Sequence, residues 1–202
     1  MATRIERGAV TVVTATRVEA VAARRAAPGV RVVEGGMALN RRRAAQGLGN
    51  CVISCGLAGG LRSDLATGAV IIPDRVLRPD GEMLICDAAL AAALEEAARR
   101  LGLQPLRAPL LTGAMLVTGD NRRIWAERGY AAADLETGRI VAKRIAAVRV
   151  ILDTPQCEIS ARWLRPVRAM LDPRALRQLP WLAREAPRCA RTAALVLAEA
   201  LG

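Results

Sequence analysis

The chain has 202 residues, 52% of them apolar, and a formal net charge of +11. That length and apolar content suit one domain, residues 1–202, with a sizeable core; they exclude disorder, which needs low hydrophobicity. The charge favours anionic partners in general, but the basic residues are spread out, densest at Arg41-Arg42-Arg43, and the chain has no Phe and a single Tyr, Tyr130. No RNA-binding aromatic pattern exists, so nucleic acid is not expected as a partner. Cys51, Cys55, Cys86, Cys157 and Cys189 have no His beside them anywhere in the chain. They are read as buried, reduced thiols of a cytoplasmic protein, with no metal site. No signal peptide is expected, and no uncharged run approaches the ~18–20 residues that span a bilayer.

In chain order, Ala9 to Thr14 is rich in β-branched residues and predicts a first strand. A helix follows from Val18 to Ala26, broken by Pro28-Gly29. A second strand, Val30 to Val33, ends at Gly35-Gly36. A helix is predicted from Asn40 to Leu48. The third strand, Cys51 to Ser54, runs into a glycine loop, Gly56-Leu57-Ala58-Gly59-Gly60-Leu61. Ala69 to Ile72 is a fourth strand stopped by Pro73. Apolar residues at helical spacing predict a helix over Asp87 to Leu101. A strand follows at Leu110 to Thr118, then a helix at Asn121 to Glu127. Asp134-Leu135-Glu136 comes next with its own helix, then a strand from Ala147 to Leu152. From Ser160 onward the chain reads as helix punctuated by Pro166, Pro173, Pro180 and Pro187. Alternating strands and helices imply an α/β fold: three layers, αβα, around a mixed, mostly parallel central sheet.

The glycine segment is where backbone comes close to something. Glycine tolerates φ > 0 and leaves backbone N–H groups open to a ligand. Ligands of α/β sheets bind at the carboxyl ends of strands. Glu19, Asp120, Glu136 and Asp153 stand at or near such ends and are expected on one rim. Asp153 closes the apolar run Val148 to Leu152. A partly buried carboxyl there would have a raised pKa and could act as a general acid; the same residue could also simply cap the next turn.

These segments resemble the superfamily of purine nucleoside phosphorylases and methylthioadenosine/S-adenosylhomocysteine nucleosidases. The resemblance is carried by Gly56 to Leu61, by Leu65 to Ile72, by Asp134-Leu135-Glu136, by Arg149-Val150-Ile151-Leu152-Asp153 and by Thr14 to Glu19. It covers most of residues 8 to 153. The compact start, the stretch Gly35 to Ala45 and the tail Leu179-Pro180-Trp181-Leu182 resemble a subfamily associated with hopanoid biosynthesis. The resemblance implies cleavage of the N-glycosidic bond of a 5′-substituted adenosine, adenosylhopane in that subfamily, with release of adenine. It implies that Asp153 serves the N7 side of the base, and that Glu136, beside Leu135, binds the ribose hydroxyls. Glu19 would orient a water in a hydrolase. In a phosphorylase, the form the subfamily implies, inorganic phosphate would be co-substrate. It would sit by Arg17 or Arg41 and the N–H groups of Leu57, Ala58 and Gly59. Arg122, with Trp125 nearby, falls where an aromatic residue stacks on the base. No other cofactor is implied, and at least a dimer is.

The chain departs from the family pattern in several places. Leu135 replaces Met, Leu152 replaces Ser, Thr14 replaces Gly, and Glu136 and Asp153 are only 17 positions apart. These departures keep two alternatives open: a catalytically idle nucleoside binder, and a nucleosidase or phosphorylase of another purine nucleoside. In the tail, Trp163, Leu164, Val167, Met170 and Leu171 beside Arg162, Arg165 and Arg168 form a basic amphipathic stripe. It fits either a core-facing helix or one lying on an anionic membrane surface.

Overall fold

A computed structural model describes residues 7–40, 47–164 and 172–202. Among these, nine strands form one mixed sheet. The strands are β1 (Val10–Thr14), β2 (Arg31–Glu34), β3 (Cys51–Gly60), β4 (Val70–Ile71) and β5 (Arg75–Leu77), then β6 (Met83–Ile85), β7 (Leu110–Thr112), β8 (Ala132–Asp134) and β9 (Arg144–Asp153). The helices are α1 (Arg17–Ala26), α2 (Ala88–Arg100), α3 (Asp120–Glu127), α4 (Pro173–Leu176) and α5 (Leu179–Leu201). β2, β1, β3 and β9 lie side by side in parallel. β3 and β9 pair over almost their whole length, from Cys51 opposite Arg144 to Ala58 opposite Ile151. Every residue of β9 after Arg144 is buried. Such a strand is covered on both faces, so between Arg144 and Asp153 its sequence is an apolar run broken by the buried Arg149 rather than an alternating one.

Helices α1, α2 and α5 cover one face of the sheet. Leu90, Ala91, Leu94, Ala97 and Ala98 recur at helical spacing on α2 and meet Val148, Val150 and Leu152 of β9 and Val196 and Leu197 of α5. Asp87 caps α2 by accepting from the Leu90 N–H at 2.9 Å. The opposite face buries Val13, Val52 and Ile145 against Leu48 and Ile140.

Several sequence expectations change. The third strand does not stop at Ser54 but continues through the glycines to Gly60. None of Gly56, Gly59 and Gly60 has a positive φ. They are needed for space, not for left-handed backbone. The strand at Leu110 is three residues long. The helix expected after Glu136 is a single 3₁₀ turn, Thr137–Arg139. The short strands β5, β6 and β8 have no counterpart in the sequence reading, because they carry too few residues for a period to show. The helix expected over Asn40 to Leu48 falls largely on residues 41–46, outside the described residues, and Asn40 and Leu48 are not helical. Pro187 lies inside α5 instead of ending it. Of the five cysteines, Cys157 is exposed; the other four are buried, and all are free thiols.

Candidate functional site

The ends of β1, β3, β8 and β9 bring together a cavity of about 180 Å³. Glu19, Asp134, Glu136 and Asp153 line it, with Leu57, Ala58, Gly59 and Leu135 between them. No Lys or Arg among the described residues lines it. A larger groove of about 720 Å³ lies between α1 and α5, with Arg17, Arg25 and Arg191 on its rim and no carboxylate. Among the described residues, the smaller cavity is lined by four carboxylates with the buried Arg122 and Arg149 paired behind them, which makes it the candidate site.

Glu19 is positioned by the start of α1. Thr16 is the N-cap, and the two residues form a reciprocal capping box: the Glu19 N–H donates to the Thr16 hydroxyl, and the Thr16 N–H donates to Glu19 Oε2 at 2.6 Å. The other carboxylate oxygen, Oε1, accepts from the Leu57 N–H at 2.8 Å. Gly56 makes room for this. A Cβ there would collide with the Glu19 carboxylate and come within 2.8 Å of Arg149 Nη1.

Arg149 is fully buried on β9. Its Nη2 meets Asp134 Oδ2 at 2.7 Å, Ser54 Oγ at 2.6 Å and Thr137 Oγ1 at 2.8 Å, and it lies 3.8 Å from Glu136 Oε2. Burial alone lowers its pKa, but Asp134, Glu136 and Glu19 outweigh burial and raise it. Its Nη1 is buried and has no hydrogen-bond partner among the described residues. Asp134 is held further by the Thr112 hydroxyl at 2.6 Å and by the N–H and hydroxyl of Thr137.

Glu136 accepts from the Ala38 N–H at 3.0 Å. Ala38 and Leu39 have φ of 55° and 49°, a left-handed conformation that non-glycine residues adopt only when their surroundings impose it. Burial, then the Asp134 and Glu19 charges, push the Glu136 carboxyl up to about 7 against the opposing pull of Arg149. Asp153 closes β9. Burial raises its pKa, and the Arg122 guanidinium pulls it back.

Some expected site residues are elsewhere. Asp120 is exposed in the first turn of α3 and does not line the cavity. Arg17 is exposed and faces the α1–α5 groove. Arg41 lies outside the described residues. The Leu57 N–H is spent on Glu19, and Leu57 and Ala58 are paired to β9, so this segment is not an open anion nest. Arg122, 2% exposed, does not face the cavity as a stacking surface. It forms an ion pair with Asp153, its Nη1 donates to Gly60 O at 2.6 Å, and its Nε lies 2.9 Å from Glu158. Trp125 packs on Tyr130 at 5.4 Å and on Leu61, Leu111 and Ala133, away from the cavity. The aromatic residue that does line the cavity is Trp163, whose Nε1 donates to Gln178 at 3.2 Å. It sits in a 3₁₀ turn, Ala161–Leu164, not on a surface helix. Val167, Met170, Leu171, Arg165 and Arg168 of the expected amphipathic stripe lie outside the described residues. No described helix is long and apolar enough to cross a membrane.

The sequence gives Asp134 no role of its own, and it places Trp163 in the amphipathic stripe of the tail rather than at the cavity. Arg149 carried a signal in its placement: a charged residue in the middle of an apolar strand is buried, and a buried charge is paired. Thr16-x-x-Glu19 carried the capping-box signal.

No protein-family model and no curated protein sequence matches the chain. Solved structures do match. The chain is similar to 5′-methylthioadenosine/S-adenosylhomocysteine nucleosidase from Neisseria meningitidis, solved with methylthio-immucillin-A. The TM-score is 0.73 at 16% identity, over 95% of this chain and 97% of that one. It is similar to futalosine hydrolase of Helicobacter pylori, with a TM-score of 0.70 at 13% identity, over 95% and 96%. The 5′-methylthioadenosine/S-adenosylhomocysteine nucleosidase of Helicobacter pylori gives 0.69 at 13% identity, over 96% and 97%. At these identities the likeness shows the fold: a mixed α/β sheet of the kind found in these nucleosidases.

Proposed function

We propose that the protein cleaves the N-glycosidic bond of a 5′-substituted purine nucleoside of the adenosine type. The observation that carries this is the arrangement of buried Asp153, Glu136 and Glu19 around one cavity that no cation among the described residues lines. Such cleavage passes through an oxocarbenium-like state, and fixed negative charge in a water-poor cavity stabilises the positive charge that develops on the sugar. Asp153 would serve the leaving base at N7, so that it does not depart as a bare anion. Glu136 would accept from the ribose hydroxyls. The nucleosidase and hydrolase activities in the names of the structural neighbours support the same reading.

The electrostatics favour water over phosphate as the attacking group. Among the described residues, an anion entering this cavity would face four carboxylates, and the guanidinium groups of Arg122 and Arg149 are already paired behind them. Glu19, which lines the cavity, would orient that water. The apolar lining by Met37, Leu57, Leu116, Leu135, Ile159 and Trp163 suits an apolar 5′-substituent. Adenosylhopane is the largest such substrate consistent with the sequence resemblance.

The test is adenine release from 5′-methylthioadenosine and from adenosylhopane, with and without phosphate, by wild type and Asp153→Asn. Release that ignores phosphate and falls at least about 100-fold in Asp153→Asn supports hydrolysis with Asp153 at the base. Release that requires phosphate makes the protein a phosphorylase. Tight nucleoside binding without release makes it a binder.

A further inference from the structure

Arg122 is one of the largest fully buried side chains of the molecule, yet it does not line the cavity. Everything it does at the site, it does through Asp153. Its Nη2 donates to Asp153 Oδ2, and the Ile159 N–H donates to the same oxygen at 3.2 Å. A carboxylate oxygen offers about two lone-pair sites, so both sites of Oδ2 are taken. Oδ1 accepts no hydrogen bond from the described residues. It lies 3.0 Å from where a Cβ on residue 59 would stand, a point 3.5 Å from Arg122 Nη2, and because residue 59 is glycine no side chain fills that point. Arg122 is itself anchored at its other nitrogens by Gly60 O and by Glu158, which also accepts from the Gly119 N–H at 2.8 Å. The guanidinium is therefore fixed from three sides, and so is the orientation of Asp153.

A carboxyl with both oxygens open can meet two neighbouring groups of adenine at once, N7 with one oxygen and the 6-amino group with the other. With Oδ2 saturated, Asp153 has a single oxygen to offer. We propose that Arg122 restricts Asp153 to that one oxygen, so that the site does not read the 6-position and takes 6-oxopurine nucleosides as well as 6-aminopurine ones. This rests on the nucleoside-cleaving function above and makes Arg122 a positioning residue that sets base specificity. A site that hydrogen-bonds a substrate N–H rejects an analogue lacking it by large factors, and a site without that contact does not.

The experiment measures kcat/KM for base release from 5′-methylthioadenosine and from 5′-methylthioinosine in wild type, Arg122→Met and Arg122→Lys, with calorimetric binding of free adenine and hypoxanthine alongside. The expected wild-type preference for the 6-amino base is less than about 30-fold. Arg122→Met frees Oδ2 to accept the 6-amino group, so the preference rises at least about tenfold; Arg122→Lys, which refills Oδ2, restores the wild-type ratio. A purely structural defect would depress both substrates equally and leave the ratio unchanged. A wild-type preference above about 30-fold overturns the proposal, as does an unchanged ratio in a cooperatively folding Arg122→Met. If Arg122→Met does not fold, the wild-type ratio and Arg122→Lys decide. Should neither nucleoside be cleaved, the function above fails, and the same preferences are then read from binding of the two free bases; if neither base binds, the proposal falls too.

Discussion

Glu136 sits among Asp134, Glu19 and Arg149, and its carboxyl stands at about 7 against an ordinary 4.5. The folded protein therefore holds a proton there that the unfolded chain has already lost between pH 4.5 and 7. Stability contributed by this group is full below pH 4.5 and falls as pH rises through about 7. At pH 8 the cost is at most about 3 kcal/mol, since each pKa unit corresponds to about 1.4 kcal/mol. Glu136→Gln, which keeps an acceptor for the Ala38 N–H, is expected to unfold at a higher temperature than wild type at pH 8, with no such gain at pH 4. Thermal melts across that range check it. Nucleoside binding should show the opposite trend in the wild type and tighten from pH 6 to 8, as Glu136 ionises and becomes a better acceptor for the ribose hydroxyls. Here stability is given up where the site needs charge.

Between β3, α1 and β9 the contacts are made possible by what Gly56 lacks. The strand passes directly beneath Glu19 of α1 and Arg149 of β9, and no side chain fits there. Gly56→Ala is expected to force the Glu19 carboxylate off the Leu57 N–H, to cost about 1–3 kcal/mol as overpacking in a well-packed region does, and to abolish base release. Gly8→Ala serves as the control, because a Cβ at Gly8 meets nothing within 4 Å. Denaturant midpoints and activity of the two variants, measured side by side, separate the close approach from any general intolerance of alanine. The same tightness explains why the glycine segment is a strand: its amides are paired with β9 and with the Glu19 carboxylate, so its function is close approach rather than anion capture.

Across the whole molecule the charge is sorted by depth. The chain carries +11, yet the cavity is lined by carboxylates, while arginines such as Arg17, Arg25 and Arg191 point outward around the α1–α5 groove. Interactions strengthen as water is excluded, so the few buried charges set the chemistry and the many exposed ones are screened. The frame that holds this arrangement is the core shared by α2, α5, β3 and β9. Leu94 is wholly buried at its centre. Leu94→Ala is expected to cost about 2–5 kcal/mol, read as a lower urea midpoint with an unchanged slope, and to leave the pH dependence of the site as it is.

The α/β class, the strands β1, β2 and β9 and the helices α1, α2 and α3 follow from local pattern, because each element is long enough for its period or β-branched run to show in the residues alone. Glu19, Glu136 and Asp153 were legible for the same reason: each is an acid beside an apolar element end, and the winding of a largely parallel sheet sends such ends to one rim. The partner of Asp153 and the aromatic wall of the cavity were not legible. Arg122 lies 31 positions before Asp153, and Trp163 meets the cavity through a turn held by Gln178. Nothing in local spacing distinguishes a guanidinium that stacks on a base from one buried behind a carboxylate. That distinction depends on which side chains are excluded from water together. Burial is a property of the packed chain, and only the tertiary structure decides it.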